Sequence, residues 1–401
     1  MTDRPITVAW LSYFPVEWLP DAPAEVRQLP RMHPASWQRV LLGELEKDPG
    51  LRIHVFVLRK QFPRDQTFTR NGVTFHLIKT AGGWRAPTLF WLDTWLIRRR
   101  LAEVRPDVLH AWGTEQGAAL VASRLGKPFV ATVQGLFTWI RELVPLNRYQ
   151  RFAAHLENWS LPRAPVLTAE SSHAVRFIRD RWPGARVQQV EHAPDWLFHQ
   201  LERRPSTTPR RFLFVGGLSH IKGTDILLLA LDQLRNEIDF NATLVGSADA
   251  GFLESLRQKT SPVLWERVRL REHLTPIEVA EEMQRATLMI FPTRADTSPN
   301  SVKEAAVAGL PVVASAIGGI PDYIFPQRNG ILFTPGSVPA CVDAIRKACA
   351  DPRLGTGQVD AATLASVRDY LSPRRMADRF RQIYRALAAS GTRKSPITEI
   401  P

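Results

Sequence analysis

Cysteine is almost missing from this chain of 401 residues: Cys341 and Cys349 are the only two. They stand eight residues apart on one expected helix, too far along it to be bridged, so the chain reads as the product of a reducing compartment. Long apolar runs are missing too, which excludes a membrane-spanning helix. The amino terminus, MTDRPITVAWLSYF, lacks a basic head followed by an apolar stretch, and a cytoplasmic protein is expected. No zinc-ligand spacing, RNA-binding aromatic signature or repeat occurs. Nor does any Asp-x-Asp, so neither a nucleic-acid partner nor a divalent-metal site is indicated.

Acid is in short supply relative to base, at 39 Asp and Glu against 52 Lys and Arg, a net charge of +13. That excess suits an anionic membrane surface, or it is the plain result of an arginine-rich composition. The 44% hydrophobic and 23% charged residues are those of a globular protein, and the length calls for two domains of similar size.

The most informative stretch runs from Phe291 to Asp322, FPTRADTSPNSVKEAAVAGLPVVASAIGGIPD. An apolar strand ends at Pro292, a polar loop follows, and an Ala-rich helix capped near Asn300 or Ser301 stops at Gly309 before a second buried strand. This is a βαβ unit, and its loop lies at the carboxyl end of the sheet, where such folds bind ligands. The helix start between Asp296 and Glu304 offers free amides to a phosphate or pyrophosphate at Asn300 and Ser301. Glu304, one turn in, is placed for a ribose diol, and Asp296 for hydroxyls further along the same ligand. Two acids flanking an anion hole fit a nucleotide-sugar.

A second constellation lies upstream. The buried strand Arg211 to Val215 runs into Gly216-Gly217-Leu-Ser-His220-Ile-Lys222-Gly223, and a helix, Ile226 to Leu234, follows. A glycine turn after a strand, with a lysine just before the next helix, is a phosphate cradle.

With these pieces in register, the stretch from Asp296 through Pro299, Asn300 and Glu304 to Gly309-Leu-Pro-Val-Val and Gly318-Gly319 closely resembles the E-x7-E signature of the family 4 retaining glycosyltransferases. The resemblance implies that Glu304 binds the ribose, that Asp296, an Asp where Glu is usual, touches the donor sugar, and that the amides between them hold the pyrophosphate. It implies that Lys222 meets the pyrophosphate, with Gly217 standing where the family has an arginine, a loss that His220 or a neighbouring arginine would offset. In the amino-terminal half, Pro106 to Thr114 resembles the strand and loop that carry the family's cleft histidine, here His110. Gln134-Gly135 stands where His-Gly is usual. His110 and Gln134 are therefore the expected acceptor-side residues. The first loop, at His33-Pro34-Ala35-Ser36, lacks the family's Gly-Gly pair, which leaves His33 as a conceivable acceptor contact.

Taken in order, strands are expected at Ile6 to Leu11, Ile53 to Leu58 and Val73 to Ile78, and a helix at Ser36 to Lys47. Gly83 to Leu101 reads as one helix with Trp91, Trp95 and Arg98 to Arg100. It is either an interfacial helix, with indoles at headgroup level and arginines on phosphate, or a core helix whose arginines complement its dipole.

The expected organisation is α/β, the GT-B architecture of two Rossmann-like domains facing across a cleft. Residues 1–200 form the acceptor domain and 201–372 the donor domain, with Glu202 to Arg210 as linker. A helix at 373–390 crosses back to the first domain, and 391–401 is a disordered tail. The implied activity is retaining transfer of a sugar, without a metal or other cofactor, from a nucleotide-sugar to a glycan or lipid-linked acceptor in bacterial envelope or exopolysaccharide synthesis. An anionic membrane surface is a further candidate partner, at the inner face of the plasma membrane. A nucleotide-sugar 2-epimerase, or a degenerate domain pair that binds without turnover, are the competing readings.

Overall fold

Apolar runs bounded by turn residues become strands throughout. The computed structural model describes residues 4–31, 34–248 and 250–391, and places fourteen strands among them. The first eight are β1 Ile6–Leu11, β2 Leu51–Arg59, β3 Gln66–Arg70, β4 Val73–Lys79, β5 Val108–Trp112, β6 Phe129–Val133, β7 Val166–Ala169 and β8 Val187–Gln189. They form one sheet in the order β3-β4-β2-β1-β5-β6-β7-β8, parallel except for β3, which runs antiparallel on β4 at the edge. The remaining six are β9 Arg210–Val215, β10 Phe240–Val245, β11 Val268–Arg271, β12 Leu288–Phe291, β13 Val312–Ser315 and β14 Gly330–Phe333. They make an all-parallel sheet in the order β11-β10-β9-β12-β13-β14. Parallel strands covered by helices on both faces must be apolar throughout, and β5, β6, β12 and β13 are buried at every position.

Both sheets are doubly wound. Strand order reverses between β1 and β5 in the first and between β9 and β12 in the second, so the loops after those strands open at a switch point. In the first sheet the proline-rich loop after β1 is tied down by Arg59, which donates to Glu17 at 2.7 Å and to the Phe14 carbonyl at 2.6 Å.

The chain divides into two compact units, one from the amino terminus to Glu191 completed by the helix Pro373–Gly391, the other from His192 to Ser372. The expected linker, Glu202 to Arg210, is no linker. Arg203 donates to the carbonyls of Ala286 at 2.7 Å and Gly357 at 3.2 Å, and the Ser206 amide donates to Arg285 at 3.0 Å, so the segment is stitched onto the second unit. The expected tail falls almost wholly outside the described residues.

The helix Pro373–Gly391 belongs to the core of the first unit. Tyr384 Oη accepts from Trp10 Nε1 at 3.0 Å and lies 2.6 Å from His110 Nδ1, while His110 Nε2 lies 2.7 Å from Thr132 Oγ1. All of it is sealed from solvent. Tyr384→Phe would strand the Trp10 donor in the core, a cost of about 1–3 kcal/mol. Thermal unfolding should shift down by several degrees, with near-wild-type activity below the transition.

The expected helix over Gly83 to Leu101 starts later than the sequence suggests. Pro87 interrupts it, Leu89 and Phe90 take positive φ, and the regular helix runs Trp91–Val104. Its buried face is Asp93, Thr94, Ile97 and Leu101. Trp91 and Trp95 are 56% and 59% exposed, which removes the core-helix reading for these two side chains.

Candidate donor site

Strands β9 and β12 pair in parallel, Leu288 beside Phe212 and Met289 beside Leu213, so the two loops that leave their carboxyl ends meet at the switch point of the second unit. Gly223 makes that meeting possible. Its φ is +74°, and a Cβ there would sit 1.8 Å from the Pro292 carbonyl oxygen. The loops are then locked by Arg294, whose guanidinium grips both oxygens of Asp225 at 2.7 Å and the His220 carbonyl at 2.6 Å. Burial alone would raise the Asp225 carboxyl; the Arg294 fork outweighs it and holds that acid below its ordinary range.

This clamp brings together residues 74 apart in sequence. Lys222 Nζ donates to Asp296 Oδ2, and the other Asp296 oxygen accepts from the Ser298 amide at 3.2 Å. Their side chains are 32% and 12% exposed, so the pair is partly buried and still reachable from solvent. Behind it stands the Gly-Gly turn. Gly318 has φ +57° and a Cβ there would meet the Asp296 carbonyl oxygen at 1.9 Å, while the Gly319 amide donates to Thr297 at 2.7 Å.

Two residues further on, the helix Asn300–Ala308 begins after Pro299, with no side chain capping it. Pro299 has no N–H of its own, so the first amides, at Asn300 and Ser301, point out of the helix start with the positive end of its dipole behind them. Glu304 follows one turn later, half-buried and with no hydrogen-bond or ion-pair partner among the described residues. Burial pushes its carboxyl up to about 8; Lys303 pulls the other way, and the Asp195 charge adds to the rise. A carboxyl in a poorly solvated position has acceptor capacity that hydroxyl donors could use.

Gly216 and Gly217 lie on the β9 turn, where the Gly216 amide donates to Val245 at 2.9 Å. The missing second cation is not supplied by Arg294, whose fork is taken by Asp225. An added Cβ at Gly217 meets nothing within 4 Å. Gly217→Arg should therefore fold unchanged and tighten nucleoside diphosphate binding about fivefold or more, as a charged hydrogen bond contributes about 1.5–3 kcal/mol before its ordering cost. Calorimetric titration reads this out directly.

In the first unit the two expected acceptor-side residues part company. His110 is 0% exposed and both ring nitrogens are engaged, so it is a core residue and the acceptor assignment is corrected: the middle of a parallel strand faces helices, not a ligand. Gln134, at the end of β6, is half-buried, with its amide nitrogen sealed from solvent and without a partner. Beside it lies an acid the sequence reading passed over. A Cβ on Gly113 would sit 2.4 Å from Glu115 Oε2 and 2.9 Å from Gln134 Oε1, so these two side chains flank one glycine. Burial raises the Glu115 carboxyl. An acid three residues beyond the end of β5 was the signal available. His33 lies outside the described residues.

Two doubly wound parallel units, the second gathering a glycine turn, a lysine and an uncapped helix start at its switch point, define a glycosyltransferase of the GT-B class. The family model described as Glycosyltransferase Family 4 matches residues 40–193, and that described as Glycosyl transferases group 1 matches residues 209–351. The chain belongs to the family 4-type glycosyltransferases. Glycogen synthase of Mycobacterium tuberculosis is 26% identical over 306 residues, 74% of this chain and 72% of that one. D-inositol 3-phosphate glycosyltransferase 1 of Catenulispora acidiphila is 26% identical over 269 residues, 61% of this chain and 64% of that one. Among solved structures, sucrose-phosphate synthase from Thermosynechococcus elongatus superposes with a TM-score of 0.78 at 18% identity, over 96% of this chain and 100% of that one. Anabaena HepE in complex with UDP-glucose does so with a TM-score of 0.68 at 17% identity, over 94% and 99%.

Proposed function

We propose that this enzyme transfers a sugar, with retention at the anomeric carbon, from a nucleotide-sugar to a hydroxyl of a glycan or lipid-linked acceptor, in bacterial envelope or exopolysaccharide synthesis at the inner membrane face. The observation that carries the reading is the convergence of Lys222, Asp296, the Asn300–Ser301 amides and Glu304 around one switch point. Glu304 takes the ribose diol, the helix amides and Lys222 take the pyrophosphate, and Asp296 takes hydroxyls of the donor sugar. As the anomeric C–O bond breaks, its electron pair goes to the departing phosphate oxygen, and the charge that builds there is met by Lys222 and the amides. The acceptor hydroxyl forms the new C–O bond on the same face and gives its proton to that phosphate. No separate base is needed. Nor is a metal part of the proposal, since the sequence has no Asp-x-Asp to hold one on the pyrophosphate. UDP-glucose is the first donor to try, because the similar Anabaena protein was solved with it.

Incubation with a panel of nucleotide-sugars, following release of nucleoside diphosphate, tests the assignment. Release with one donor, accelerated by an acceptor and giving a product of unchanged anomeric configuration, is expected. Saturable binding with no release under any condition would make the protein a binder, and a 2-epimeric sugar would make it an epimerase.

A further inference from the structure

The solvent face of the helix Trp91–Val104 is aromatic and basic. Trp91 and Trp95 stand one turn apart, and Arg98 and Arg99 continue the exposed face. The patch extends beyond the helix. The Arg124 guanidinium lies 4.3 Å from the Trp91 ring centroid and 6.0 Å from that of Trp159, which is 38% exposed on the helix Arg148–Ser160. Arg124 also donates to the carbonyl of exposed Leu89 at 2.6 Å, and its own carbonyl accepts from Arg98 at 2.7 Å. Acids of this helix do not neutralise the face: Asp93 is 2% exposed and paired with Arg85, and Glu103 pairs with Arg100.

Single exposed apolar residues are ordinary, but indoles interleaved with guanidinium groups on one continuous face are not scatter. Indole rings settle at the headgroup level of a bilayer, arginines meet lipid phosphate, and the outer face of a helix presents both to a flat surface. Among the described residues no helix is long and apolar enough to cross a membrane, so the contact would stay at the interface.

We propose that this face docks the protein on an anionic lipid bilayer. The inference deepens the reading of an acceptor at a membrane face and rests on it for its purpose, while vesicle binding itself is scored without turnover. The full chain is to be sedimented with vesicles of phosphatidylcholine alone and mixed with phosphatidylglycerol, at low and high salt. Binding should require the anionic lipid and fall with salt. Trp91→Ser with Trp95→Ser, and Arg98→Ser with Arg99→Ser, should each lower partitioning about tenfold, at unchanged circular dichroism and unchanged nucleoside diphosphate release from soluble donor. Equal recovery in the supernatant under all conditions, or equal binding to both vesicle types, would overturn the proposal. So would a lipid-independent dimer that the tryptophan variants split, or capture of single-stranded DNA without vesicle binding. Failure to bind vesicles with donor release intact would sink the docking alone; vesicle binding without release from any donor would sink the functional reading alone.

Discussion

Lys222→Ala lowers turnover by about a hundredfold or more while donor affinity changes by less than about tenfold; that is the expected result, and the geometry says why. The lysine donates to Asp296. A pyrophosphate that takes Lys222 must share or displace that carboxylate, so part of the ground-state gain is offset and little net binding comes from the lysine. The balance changes as the glycosidic bond breaks. The leaving phosphate gains charge, the lysine responds to it without reorganising, and the interaction strengthens in the transition state alone. Removing Lys222 also leaves Asp296 without its cation in a position only 12% exposed, an uncompensated charge that would disturb the site around it. The double variant Lys222→Ala with Asp296→Asn separates the two effects, because it relieves the stranded charge without restoring the cation. Steady-state turnover beside calorimetric donor affinity decides the matter. Equal losses in both quantities for Lys222→Ala would make the residue an ordinary binding contact.

That pairing was not legible in the sequence, whereas both of its members were. Asp296 sits in a stretch where every local choice agrees: an apolar strand, a proline stop, a helix of alanines and a Gly-Gly turn. Each of these is written within a few residues of its neighbour, and the structure reproduces the order as β12, Asn300–Ala308 and β13. The contact with Lys222 depends instead on β9 lying next to β12, a fact of strand order that no local pattern encodes. Arg294 and Asp225 were invisible for the same reason. His110 failed differently. Its motif was recognisable, but nothing nearby announced that Tyr384, 274 residues later, would close over it. The Glu202 to Arg210 segment has a linker's composition, yet the carbonyls that Arg203 finds belong to residues some 80 and 154 positions away. In the helix from Trp91 the sequence offered composition without orientation. Tryptophans with arginines could sit in a core or on a surface, and only the break at Pro87 and the register set by Ile97 and Leu101 turn the indoles outward.

Glu304 is where ligand binding and stability pull in opposite directions, and the second large effect is expected there. At pH 9, where the carboxyl is ionised, Glu304→Ala should weaken the free nucleoside diphosphate by about 1.5–3 kcal/mol, roughly ten- to a hundredfold, because a charged hydrogen bond to the ribose is lost, and by less at pH 7. The sign of the pH effect follows from the raised carboxyl. In the folded protein it holds its proton up to about 8, against an ordinary value of 4.5. Between those two values the native state carries a proton that the unfolded chain has released, so stability falls as pH rises and levels off above about 8. The ribose hydroxyls, in contrast, are best received by the carboxylate, so nucleotide affinity should rise as pH passes from 7 to 9. Glu304→Gln removes the titration and keeps the shape. It should therefore unfold at a temperature a few degrees higher than wild type at pH 8, bind nucleoside diphosphate about tenfold or more weakly, and lose the pH dependence of binding. Calorimetry at pH 7, 8 and 9 with a thermal melt at each pH gives all three readings. A glutamine variant that melts lower and binds the nucleotide as tightly as wild type would show that Glu304 serves the fold and that the ribose is held elsewhere.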